Sequence, residues 1–266
     1  MTSILGRFAF LALALAALPV ASASAKPLTL TYLGYLAGFP VLQMTAQADL
    51  PVAANGGVGD GVYGLTANIV TEGSLATLYP YRATVAANGR LASGRAQPTQ
   101  FNSESQIMAK SESVTLTYRA GGKVDISAVP MTRQAQDAAA QGTANGTIDP
   151  ASLVLAVIAN YAQKGSCTAG YKLFDGVRRY DLNVTEVGDG NVQMYKRSYY
   201  QGPATACQAV PQLIQGFAQM AVQSKLYPES AKIWIANAVP GMPAVPVRIY
   251  TQNALGEMVF DLIAVQ

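Results

Sequence analysis

The chain has 266 residues, half of them apolar and only 12% charged, with a formal net charge of +3. It contains no histidine, which removes Ser-His-Asp and Cys-His catalysis and nearly all zinc sites, because imidazole is the usual base and ligand in both. The basic residues form doublets at most, Arg178-Arg179 and Lys196-Arg197, whereas nucleic-acid binding needs a basic stripe.

Residues 1–25 read as a secretory signal. Arg7 supplies the positive start, 8–20 form an apolar run broken by Pro19, and Ala23-Ser24-Ala25 gives an A-x-A cleavage site. Cleavage there leaves 26–266 as a single periplasmic β-rich domain, exported in a Gram-negative bacterium. No later stretch is apolar for long enough to span a bilayer as a helix. Lipid attachment would need a cysteine just after the cleavage site, and the two cysteines are Cys167 and Cys207. In an exported chain lacking C-x-x-C these read as one disulfide rather than a redox pair. Closing that loop stabilises the fold by about 3–4 kcal/mol in the chain-entropy model.

From 28 to 142 the pattern is predominantly β. Leu28, Leu30 and Tyr32 alternate with threonines, and Leu42, Met44, Ala46 and Ala48 alternate with polar residues, the period of a half-buried strand. Further strands are predicted over 61–70, 75–86, 100–109, 113–119 and 123–129. Asn55-Gly56-Gly57, Asn88-Gly89 and Gly121-Gly122 are the predicted turns between them. Such spacing suggests an antiparallel meander that curls as it grows. The Ala-, Gln- and Gly-rich stretch 135–146 reads as a loop.

Asp149 before Pro150 is a strong helix start, since Asp caps free amides and Pro fits the first helical position. The helix 150–164 ends at Gly165. Leu153, Val154, Leu155, Val157, Ile158 and Tyr161 occupy more than one stripe, the mark of a buried helix. Strands return at 171–174 and 177–187 around an Asp175-Gly176 turn. A second turn is predicted at 188–191, a strand at 192–200 and a second helix at 211–225. Three last strands are predicted over 231–237, 245–251 and 257–265.

The densest charge lies in F-D-G-V-R-R-Y-D-L at 174–182. One reading is a ligand-facing hairpin, in which Arg178 or Arg179 holds a phosphate or carboxylate through its planar fork. The other is structural: Asp175 orders the turn, alternation separates Arg178 and Tyr180 from Arg179 and Asp181, and an arginine pairs with a carboxylate such as Asp149. Asp175 and Asp181 do not suit glycosidase chemistry. Six strand residues separate carboxylates by roughly 20 Å, where about 5–9.5 Å is needed. No nucleophile elbow, Walker loop or dinucleotide fingerprint is present, and no cofactor is expected. The tyrosines would line a pocket for a lipid chain or glycan, or pack across strands.

Taken together, I-D-P-A-S at 148–152, Cys167, F-D-G-V-R-R-Y-D-L, Cys207 and V-P-V-R-I at 245–249 resemble an exported bacterial family, domain of unknown function 3108. The opening Y-x-x-Y-x-x-G at 32–38 and Q-P-T-Q-F at 97–101 also match it. The resemblance implies a mainly β (α+β) protein, with a large curved antiparallel sheet or half-barrel wrapping around one or two helices. Lipoprotein carriers of the LolA/LolB kind share that outline and hold acyl chains between sheet and helices. It implies no catalytic residues. The expectation is a non-enzymatic carrier with an apolar cavity between the sheet and the helix 150–164. Its ligand would be a lipid, a lipoprotein or another envelope component. The rivals are an envelope scaffold with a filled core and a polysaccharide-active enzyme.

Overall fold

The computed structural model describes residues 27–51, 53 and 57–266. The expected signal segment and the Asn55-Gly56 part of the first turn lie outside them. Thirteen strands form one sheet: β1 (Leu28–Leu36), β2 (Phe39–Asp49), β3 (Gly61–Thr71), β4 (Tyr81–Ala92), β5 (Arg95–Ile107), β6 (Lys110–Tyr118), β7 (Val124–Val129), β8 (Ala169–Phe174), β9 (Arg179–Val192), β10 (Gly202–Gln215), β11 (Ala231–Ala236), β12 (Val245–Asn253) and β13 (Gly256–Val265). Their order is β7-β6-β5-β4-β3-β2-β1-β13-β12-β11-β10-β9-β8, with every neighbouring pair antiparallel. Two meanders thus meet where β1 pairs with β13, and β7 and β8 are the free edges.

The sheet is not closed by a ladder. The segment 142–149 crosses between its two edges instead. Gly146 N donates to Gly122 O at 2.8 Å, beside β7, and Val124 N donates to Asn145 Oδ1 at 3.0 Å. On the far side Ile148 bridges Leu173 in parallel, donating to Lys172 O and accepting from Phe174 N.

Among the described residues four α-helices accompany the sheet: α1 (Leu75–Leu78), α2 (Arg133–Gln141), α3 (Pro150–Lys164) and α4 (Gln219–Gln223). Asp149 caps α3 by accepting from Ser152 N at 2.7 Å, and Gly165 ends it in the left-handed region. α3 packs on β4, β5 and β8. Leu155 and Ile158 are almost fully buried in one core cluster with Tyr63, Leu91, Phe101, Leu116 and Phe174. Each such side chain contributes about 1.5–3 kcal/mol through burial. Val157, on another side of the helix, joins Cys167, Val184, Cys207 and Ile235 in a second cluster. Both sides of α3 are therefore apolar because both meet sheet.

Because each strand reverses the last, alternate connections lie at the same end. The β1–β2, β3–β4, β5–β6, β8–β9, β10–β11 and β12–β13 connections form what we term the upper rim. α3 lies toward the opposite, lower end, with Asn160 and Gln163 beside Gly94 in the β4–β5 turn.

Several predicted elements differ. Helix 211–225 is not formed: β10 runs on to Gln215, paired with β9 as far as Arg179, and α4 covers only Gln219–Gln223. Pro211 and Leu213 satisfy a period of two while Leu213 and Phe217 satisfy a helical one, and the ladder decides between them. The 188–191 turn is strand, since β9 continues past a bulge opposite Ala206/Cys207 to Val192. The 193–201 stretch is not a strand but a loop. Asn88-Gly89 lies inside β4, where a Cβ at position 89 would stand 2.7 Å from the Tyr63 hydroxyl. The predicted loop 135–146 contains α2, capped by Thr132 and Gly142. Strand 75–86 starts with α1 and becomes β4 only at Tyr81.

Candidate functional site

Asp175 builds the β8–β9 turn. Its Oδ1 accepts from Val177 N at 3.0 Å and from Arg178 N at 2.7 Å, and its Oδ2 accepts from Arg178 Nε at 2.7 Å. Gly176 has φ +104°, and a Cβ there would collide with Val114 on β6. Only glycine lets this turn lean on the opposite part of the sheet.

Arg178 faces a pocket of about 260 Å³ lined by Tyr180, Pro211, Leu213, Phe217 and Tyr227. Tyr180 meets Phe217 edge-on at 6.2 Å, and Phe217 meets Tyr227 edge-on at 5.0 Å. The Arg178 guanidinium stands 6.0 Å from the Tyr227 ring centre. Burial alone would lower the Arg178 pKa, but the Asp175 charge and hydrogen bond hold it above the ordinary value. Burial, aided by the Asp175 charge, pushes Tyr180 up to about 12. Tyr180 pairs with Leu213 and Leu182 with Pro211. This row continues to Val184 and Ala209 beneath α3, so the pocket opens on the concave face.

Arg179 and Asp181 pair with each other at 2.6 Å. Strand alternation turns both away from Tyr180, and register sets Arg179 beside Phe174. The hairpin charges thus form two separate pairs, Arg178 with Asp175 and Arg179 with Asp181.

Asp149 meets neither arginine, contrary to the pairing expected. It is fully buried. Its Oδ2 accepts from Ser152 Oγ at 2.7 Å and from Tyr118 OH at 3.3 Å, while Tyr63 OH lies 2.7 Å from Ser152 Oγ. Burial raises the Asp149 pKa, and its bonds with Ser152 and Tyr118 only partly offset this. The burial and the Asp149 charge also raise Tyr118. These contacts tie β3 and β6 to the start of α3.

A second buried carboxylate went unnoticed in the sequence. Asp261 on β13 is 1% exposed and pairs with Arg248 Nε at 2.7 Å. Arg248 Nη2 donates to Ser198 Oγ at 2.9 Å, and Ser198 also bonds Asp261. Arg248 further lies 5.4 Å from the Tyr195 ring centre. This network fastens the 193–201 loop over the convex face, and V-P-V-R-I was its only signal.

The cysteines are bonded, joining the approach to β8 with β10. No group of three or more His, Cys, Asp or Glu among the described residues is placed to hold a metal. No described helix is long and apolar enough to cross a membrane. A groove of about 580 Å³ lies on the convex side, floored by Gln208, Lys232 and Tyr250.

Residues 30–263 match the family of proteins of unknown function DUF3108. The chain belongs to the DUF3108 family. No curated protein is significantly similar to it. Among solved structures, this DUF3108 chain is similar to a β-barrel-like protein of domain of unknown function DUF1849 from Brucella abortus. That match has 9% identity and a TM-score of 0.49, over 91% of this chain and 97% of the other. A structure from Parabacteroides distasonis, described provisionally as a lipoprotein, has 10% identity and a TM-score of 0.31, over 91% and 96%.

Proposed function

We propose that this DUF3108 protein is a non-enzymatic periplasmic carrier or binding protein for a lipid, an acylated protein or another amphiphilic envelope component. The observation that carries the reading is a change along the concave face. Beneath α3 the sheet side chains are buried, and the cavity expected there is filled by Phe101, Leu116, Leu155, Ile158 and Phe174. Toward the upper rim the same face carries Leu42, Met44, Ile69, Val85, Val114 and Phe260, all apolar and only half-buried. Register puts them on one wall, with Leu42 beside Gly34, Gly34 beside Phe260, and Met44 beside Ile69. A contiguous apolar wall left partly open is a binding surface by default. Phe39, Leu78, Met108 and Leu255 are exposed on the upper-rim connections, where an acylated donor would reach the wall.

A scaffold reading draws on the filled lower half alone. Mass spectrometry of organic extracts separates the two. Protein purified without detergent should release a lipid or acyl species, and the delipidated protein should not. Consistently empty native protein would sink the carrier reading.

A further inference from the structure

We propose that the Arg178 pocket receives the anionic head of the amphiphile whose chain lies on the half-buried concave wall. The inference rests on the carrier reading and names the ligand class: a single-chain amphiphile ending in a carboxylate or phosphate.

Three observations carry it. First, the pocket adjoins the wall. The 175–178 turn lies directly against Val114, which is one of the wall residues, and Tyr180, Pro211 and Leu213 share the concave face. A chain on the wall therefore ends beside Arg178.

Second, the guanidinium is held but not used up. Asp175 takes its Nε–H, and Asp175 is itself committed to two backbone amides of its own turn. The Tyr227 hydroxyl also takes a guanidinium donor, and neither Nη group donates to a carboxylate among the described residues. The side chain is 43% exposed. Arginine presents its remaining donors as a rigid fork that matches a carboxylate or phosphate. Asp175 fixes the fork's direction in advance, so little ordering is needed on binding.

Third, the walls suit the junction between head and chain. Tyr180, Phe217 and Tyr227 offer apolar ring edges, and the two tyrosines add a hydroxyl each, the combination that accepts a group polar at one end only. At about 260 Å³, the space fits a head and its first methylenes rather than a whole lipid.

The test uses cis-parinaric acid, whose fluorescence reports binding, and its neutral methyl ester. The full mature protein should bind the acid about tenfold more tightly than the ester, the effect of one charge-assisted contact. Arg178→Gln should bring the acid down to the ester's affinity without changing ester binding. Arg178→Lys should keep part of the preference.

If Arg178→Gln fails to fold, Phe217→Ala and Tyr227→Ala replace it. Both lie on the β10–β11 connection outside the main core, and each should weaken acid and ester together. Calorimetric titration with inorganic phosphate should show no saturable binding. Saturable phosphate binding that Arg178→Gln removes, with no acid preference, would replace the lipid by a free anion and overturn the proposal. Ester and acid binding equally to the wild type would also overturn it, while leaving the carrier reading intact. Binding of neither would overturn both.

Discussion

The two halves of one concave face are built to different ends. The lower half is closed: α3 lies across it, two core clusters meet on the helix, and a disulfide fastens β10 to the chain entering β8. Even its buried carboxylate, Asp149, is occupied by a backbone amide and two hydroxyls. The upper half has the same strands and the same alternation, yet its apolar residues stop at half-burial and its arginine keeps donors to spare. The difference teaches that one sheet can provide both scaffold and binding surface. The position of a single helix divides them.

The comparison breaks first where the lower half is weakest to attack. The Cys167→Ser/Cys207→Ser double variant should lose about 3–4 kcal/mol of stability, as loop-closure entropy returns to the unfolded chain. Leu155→Ala should lose about 2–5 kcal/mol by emptying the centre of the core. Urea unfolding measures both, and a loss under about 1 kcal/mol for Leu155→Ala would show that the lower half is loosely packed.

Asp149 gives a sharper test. Asp149→Ala should lose about 1–2 kcal/mol with the helix cap, whereas Asp149→Asn keeps the cap and removes a buried charge. The folded pKa is raised, so the folded state holds the proton more tightly than the unfolded one, whose value is about 3.9. This contribution to stability is fully present below that value and is lost as pH rises through the raised folded value. Asp149→Asn should therefore gain on wild type with rising pH. An unchanged stability difference across pH 3 to 8, roughly the range in which carboxylates titrate, would contradict the assignment.

The smallest stability effect belongs to the upper half. Ile69→Glu should be well tolerated in folding, because its site is half-buried, yet should abolish acyl binding. Retained binding in Ile69→Glu would remove the wall from the site.

Much of this division was legible in the residues. Strand alternation around Leu28–Leu36 placed the inward face, and the Asp149-Pro150 start with Gly165 bounded α3. The F-D-G-V-R-R-Y-D-L string gave the turn and the separation of Arg178 from Arg179. What failed was local. Leu213, Ile214, Phe217 and Met220 fit a helical period, but pairing of β10 with β9 supplies ladder bonds as far as Gln215. Gly89 and Gly190 looked like turns because glycine also marks crowded strands. The first is crowded by Tyr63 and the second lies beside Trp234. The Tyr63–Ser152 and Tyr118–Asp149 contacts span 89 and 31 residues, and no spacing rule joins residues so far apart. For the same reason the sequence could suggest an arginine for Asp149 but could not find the Tyr118 hydroxyl that bonds it, or the Tyr63 hydroxyl that bonds its partner Ser152.

Photo-crosslinking with a diazirine-bearing fatty acid, followed by peptide mapping, tests the central claim most directly. The account predicts label on β2, β3 and β4 at Leu42, Met44, Ile69 and Val85. Label confined to convex-face residues such as Val62 and Val187, or spread without preference, would contradict it.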